Sequence, residues 1–214
     1  MLNIVKMLFK KSEQEVVKPN IYEQIDEMFE SLDADIITLH IGSDLVNFGE
    51  EITDLISKFR KDLKDKNGFI FPPVHVLDDK NLQENQLIIY VRGLKIYELF
   101  VVPTLEEINK EITESMKYIY NRFLDKIFTY QITEKYINFV QQNHMWTTWN
   151  LTSMYSVTEI RSVLKNLLEE NRSIKNINYV FEKFADCALE SGFSSPASAS
   201  KITKHLINVL EPCD

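Results

Sequence analysis

The period of the hydrophobic pattern changes along the chain, and each change marks an element. Over residues 20–32 the apolar side chains Ile21, Ile25, Met28, Phe29 and Leu32 recur at helical spacing. Ile37, Leu39 and Ile41 then alternate with Ile36, Thr38 and His40, which is the period of a strand. Gly42 ends that run, and Asn47 with Glu50 three residues on predicts a capped start for the next helix. Its stripe is Phe48, Ile52, Leu55, Ile56, Phe59 and Leu63. Acidic residues gather early (Glu50, Glu51, Asp54) and basic ones late (Lys61, Lys64, Lys66), as the helix dipole favours. Asn67-Gly68 supplies the stop. Pro72-Pro73 breaks the chain before β-rich runs at residues 74–77, 87–92 and 94–102, with Gly93 where a tight hairpin needs a permissive backbone. Strand, helix, strand and hairpin within about 70 residues predict a small mixed sheet with a helix on one face.

Beyond Pro103 the pattern is wholly helical. Thr104 and Glu107 form a capping-box pair before Ile108, Ile112, Met116, Ile119, Phe123 and Ile127. A second helix is predicted over residues 131–142, through Ile132, Tyr136, Phe139 and Val140. Residues 144–155 (HMWTTWNLTSMY) are aromatic and polar without a period, and read as a loop that packs Trp146 and Trp149 against the helices. Ser156 and Glu159 form another box, at the start of a helix carrying Val157, Ile160, Val163, Leu164, Leu167 and Leu168. Ser173 is read as the start of a helix carrying Ile174, Ile177, Val180, Phe181, Phe184 and Ala188. Small residues at 192–199 make a turn, and Ile202, Leu206, Val209 and Leu210 mark a last helix. The expected fold class is α+β: a small mixed β-sheet with a packed helix, ferredoxin-like or similar, followed by an all-helical subdomain. The expected division is a helical lead-in at 1–34, an α+β subdomain at 35–103 and a helical subdomain at 104–214.

Composition narrows the chemistry. Among 214 residues there are 24 basic and 32 acidic ones, a formal charge of −8, and only five glycines. An acidic chain repels a phosphate backbone, and scarce glycine argues against a Gly-rich phosphate loop. Cys187 and Cys213 are too few for a disulfide scaffold or a structural zinc site, so a reducing cytoplasm is the expected setting. The start, MLNIVKMLFKK, is short, apolar and basic; a short amphipathic helix is expected there, with peripheral membrane contact as its alternative use. His40, His75, His144 and His205 are scattered and fit no metal-ligand spacing. Ser162-x-x-Lys165 and Ser198-x-x-Lys201 lack the partner motifs of serine acylases, and Asp78-Asp79 reads as a turn. No catalytic, cofactor or metal constellation emerges. Helices over residues 156–188 raise a nucleic-acid-binding regulator as the alternative function, with Lys175, Asn176, Asn178 and Lys183 facing out; Glu182 and Asp186 on the same helix favour a core hairpin instead.

Two stretches resemble the cytosolic region of the FHIPEP family, the export-gate proteins of flagellar and virulence type III secretion. The first is GFIFPPVHVLDDKNLQENQLIIYVRG, where Gly68, Phe69, Pro72, Pro73, Val74, Val76 and Gly93 fall in step with the family's phrase and Asp78 and Arg92 take matching chemical places. The second is SVTEIRSVLKNLLEENRSIKNINYVFEKFAD. There Ser156, Glu159, Val163, Leu164, Asn166, Leu167, Leu168, Glu169, Ser173, Ile174, Ala185 and Asp186 align without a gap. With looser spacing the likeness runs over residues 35–210.

The resemblance implies a non-enzymatic protein-interaction scaffold of type III protein export, without cofactors. Its implied partners are export-apparatus components, chaperones or further copies of itself, and no nucleic acid. It also implies departures from the family: no membrane-spanning half, no inserted subdomain between sheet and helices, and no final subdomain. Read from the residues alone, Met145, Trp146, Trp149, Met154 and Tyr155 are the candidate partner-binding group, since aromatics and methionine are enriched at interface centres.

Overall fold

The computed structural model describes residues 36–191, 196–210 and 212. The amphipathic start, the helix predicted at 20–32, the 1–34 lead-in, Cys213 and the first half of the 192–199 turn lie outside them.

The α+β half runs β1 (Ile37–Ile41), α1 (Gly49–Asn67), β2 (Val74–Asp78), β3 (Gln86–Val91) and β4 (Leu94–Phe100). The strand order is β2-β1-β3-β4, with β1 parallel to β2 and antiparallel to β3. Helix α1 therefore joins adjacent parallel strands in a contiguous βαβ unit, unlike the split βαβ of a ferredoxin-like sheet. Ile37, Leu39 and Ile41 pair with Val91, Ile89 and Leu87, and all six are buried. Strand alternation places them on one face, and that face is the core. The β3–β4 hairpin turns on Arg92 and Gly93, both at positive φ (51° and 76°), the backbone that matches strand twist in a two-residue loop.

The predicted Asn47–Glu50 cap does not form. Gly42 N donates to Gln86 O and Asp44 N to Glu84 O, so the chain leaving β1 is tied to the β2–β3 loop and enters a 3-10 turn, Ser43–Phe48. Asn47 is spent inside that turn, and α1 begins at Gly49 with no side-chain cap.

The helical half comprises α2 (Leu105–Ile127), α3 (Tyr130–Asn143), α4 (Met145–Met154), α5 (Val157–Glu169), α6 (Ile177–Ser191) and α7 (Ala199–Val209). Thr104, Thr129, Ser156 and Ser198 accept from the backbone at the starts of α2, α3, α5 and α7. At Ser156 the box is complete, because Glu159 Oε2 also accepts from Ser156 N at 2.9 Å. Three expectations need correction. Residues 145–154 are helix, not loop; α4 buries only Thr148 and Leu151, too few apolar positions to show a period. Helix α6 starts at Ile177, not Ser173, because Ile174 N is engaged by Asn67 O (2.8 Å) and Asn176 Oδ1 accepts from Tyr179 N at the true start. Helices α5 and α6 do not form a tight mutual hairpin either: α5 lies chiefly on α7 and α3, and α6 on α4 and α7.

The segment between α1 and β2 is neither helix nor strand, yet Phe69, Ile70 and Phe71 are wholly buried. Buried backbone groups need partners, and the helical half supplies them. Tyr136 Oη donates to Gly68 O (2.6 Å) and accepts from Ile70 N (3.0 Å). Asn67 accepts from Phe69 N through Oδ1, donates to Tyr120 Oη through Nδ2 (2.7 Å), and its carbonyl takes Ile174 N. Phe69 stacks on Phe128 at 5.5 Å between ring centroids, and Phe71 meets Phe59 edge-on. Gly68, at φ 79°, ends α1 so tightly under Lys175 that a Cβ would lie 2.4 Å from its backbone. A second latch joins the halves at the end of α2: Arg92 Nε donates to Lys126 O, and Arg161 donates to Asp125 O and Phe128 O. The buried core is continuous across Pro103.

Candidate interaction surface

Helix α4 carries the aromatic group singled out in the sequence, but splits it. Its inner side packs Thr148 and Leu151 against α3 and α6. Its outer side leaves Met145 61%, Trp146 73% and Trp149 58% exposed. The two indoles meet edge-to-face at 6.2 Å, which holds them as one protruding unit. Tyr155 is not part of it. Its ring packs on Phe184 at 5.0 Å, and its hydroxyl donates to Ala197 O at 2.9 Å. Burial pushes that phenol's pKa up. Met154 is half-buried against the core. The expected packing of Trp146 and Trp149 against the helices is thus reversed, since the helical twist turns both to solvent while its opposite side takes the burial.

From Tyr136 to Thr158 no Asp, Glu, Lys or Arg occurs, although 26% of the chain is charged. The helix that carries the indoles therefore contributes no charge beside them, as at an interface centre rather than a rim. Single exposed apolar residues need no explanation; two adjacent tryptophans and a methionine on an uncharged helix do.

Other candidates dissolve into local structure. His40 Nδ1 lies 3.0 Å from Asp79 Oδ2, beside the edge of Tyr90. That hydrogen bond, helped by the Asn81 backbone, holds the Asp79 carboxyl below its usual pKa. Among the described residues no group of three His, Cys, Asp or Glu could hold a metal ion. Cys187 is buried, which pushes its thiol's pKa up and away from reactivity. Three of the supposed DNA-reading side chains are engaged within the chain: Lys175 donates to Asp65 O, Lys183 pairs with Asp186 at 2.8 Å, and Asn176 caps α6; the fourth, Asn178, has its Oδ1 buried away from solvent. The sequence pattern did not reveal a second exposed apolar set, Phe100, Val102 and Leu105, where β4 runs into α2. Its trace was Phe100 sharing the outward phase of Glu98. No described helix is long and apolar enough to cross a membrane.

Residues 5–106 match the model of the FHIPEP family. Flagellar biosynthesis protein FlhA of Borreliella burgdorferi is 22% identical over 253 residues, covering 95% of this chain and 34% of that protein. The CdsV protein of Chlamydia pneumoniae superposes with a TM-score of 0.66 at 15% identity, over 79% of this chain and 65% of that one. The same protein solved in complex with CdsO gives 0.65 at 14% identity, over 79% and 63%. Nonameric SctV-C from EPEC gives 0.66 at 14% identity, over 82% and 65%. The chain thus spans about a third of the flagellar relative and just under two thirds of the solved domains.

Proposed function

This chain is a relative of the FHIPEP family, and from that premise we propose that it is a non-enzymatic docking scaffold of type III protein export. It would act in the cytoplasm, binding other proteins by surface complementarity and performing no chemistry. The observation that carries the reading is the Trp146–Trp149 pair, held outward on the charge-free surface of α4 by a helix anchored at Thr148 and Leu151. Large rigid aromatics of this kind concentrate binding energy at protein interfaces. The solved relatives described above include a nonamer and a two-protein complex, and the same kind of work is proposed for this chain. We further propose that the division falls near Pro103 and that the described residues on its two sides act as one rigid carrier, latched at Gly68 and at the end of α2.

The test is to measure the solution mass of the purified chain, and then its capture of purified export chaperones and proteins of the export ATPase complex. Capture lost in Trp146→Ala/Trp149→Ala would support docking through α4. A strict monomer that captures none of them removes the support.

A further inference from the structure

A groove runs between α1 and α2, where the α+β half meets the helical half. Its floor is apolar: Leu55, Phe59 and Leu63 from successive turns of α1, closed by Tyr120 of α2. Its cavity volume is about 530 Å³, within the range of formed ligand sites. From Leu55 to Asn67 the α1 wall extends about 18 Å at 1.5 Å per residue, some three helical turns.

The charge of this groove opposes that of the molecule. Lys58, Lys66 and Lys117 line it against a single carboxylate, Asp62, a local balance of +2 in a chain of −8. None of the three lysines has a carboxylate partner among the described residues, whereas Lys95, Lys110, Lys165 and Lys183 all do.

We propose that the groove receives an acidic amphipathic helix from a partner protein. An apolar stripe at i, i+3/i+4 and i+7 would fill the floor, as helix-in-groove recognition requires, and acidic residues flanking the stripe would meet the lysines. The net negative field elsewhere rejects acidic chains, so the lysine rim selects the site as well as strengthening it. Because one wall belongs to each half, the bound helix also clamps the two together. This surface is distinct from the α4 indoles.

The test uses the full chain and a short labelled synthetic peptide with leucine and phenylalanine on one helical face and glutamate on the other, followed by fluorescence anisotropy. The expected result is saturable binding that weakens as salt rises. It should fall about tenfold or more in Lys58→Glu/Lys117→Glu, and remain unchanged in Trp146→Ala/Trp149→Ala. A peptide with lysine in place of glutamate should bind the reversed chain better than the original. Circular dichroism establishes that the reversed chain is folded, and Lys117→Gln gives a milder second measurement with a smaller loss. Absence of binding, equal affinity for the original and reversed chains, loss in the tryptophan variant, or displacement by inorganic phosphate, which marks a small-anion pocket, would each overturn the proposal.

Discussion

Replacing Tyr136 by phenylalanine removes one oxygen atom and keeps the ring, so it isolates the bond pair that fastens the Gly68–Phe71 segment. Tyr136 Oη is the acceptor for Ile70 N and the donor to Gly68 O, and Ile70 is wholly buried. Leaving a buried polar group without its partner costs about 1–3 kcal/mol, so two such groups cost about 2–6 kcal/mol. Water cannot replace the hydroxyl, because one lost oxygen leaves too little room for it in a packed site. For a chain of this size each kcal/mol lowers the melting temperature by about 2–4 °C, which predicts a fall of about 4–24 °C. Thermal and urea unfolding should agree on it. Tyr130→Phe, at an exposed ring, should stay within about 0.5 kcal/mol of the parent. A loss of less than 0.5 kcal/mol in Tyr136→Phe would refute the claim that the helical half holds this segment by its backbone.

Four further outcomes are expected. Burial raises the Tyr136 pKa above the ordinary 10.0, so the native chain holds the neutral phenol. Stability should be full below pH 10 and decline above it, as the phenol ionises in the unfolded chain but not the native one; Tyr136→Phe should flatten that decline in unfolding midpoints taken from pH 8 to 11. Glycine-to-alanine changes should differ in sign. Gly68→Ala meets both a positive φ and the Lys175 backbone, and Gly42→Ala would place a Cβ 2.0 Å from Gln83 O, so each should lose about 2–4 kcal/mol. Gly49→Ala, in open space at the start of α1, should gain up to about 1 kcal/mol in the same denaturant titration. Ser156→Ala should cost about 1 kcal/mol by removing the complete capping box of α5. Trp146→Ala/Trp149→Ala should leave unfolding within about 0.5 kcal/mol while abolishing capture of an export partner, and a stability loss of several kcal/mol would place the indoles in the core instead.

Hydrophobic periodicity was enough to locate the four strands and the long helices, because each of those elements buries one face and its own pattern records which. Ile37, Leu39 and Ile41, the stripe of α1, and the Ser156–Glu159 box were all legible for that reason. So was the α+β class, since strand and helix periods occupy separate stretches of the chain. The FHIPEP likeness was legible from residues that serve structure: Gly68 for its backbone, and Phe69 for its burial.

Wherever partners come from distant parts of the chain, local pattern carried no record. Asn47 looks like a cap until the β2–β3 loop draws residues 42–48 into a 3-10 turn. Ser173 looks like a helix start until Asn67 takes the Ile174 amide. Composition put Met145, Trp146, Trp149, Met154 and Tyr155 into one group; packing kept the first three at the surface and withdrew Tyr155, because α4 turns one side to α3 and α6 and the other to water. The basic groove could not be read at all, since Lys58 and Lys117 lie 59 positions apart and become neighbours only where α1 and α2 lie side by side. Secondary structure follows from each segment's own burial pattern, whereas a surface arises from which segments meet, and that is set by long-range packing.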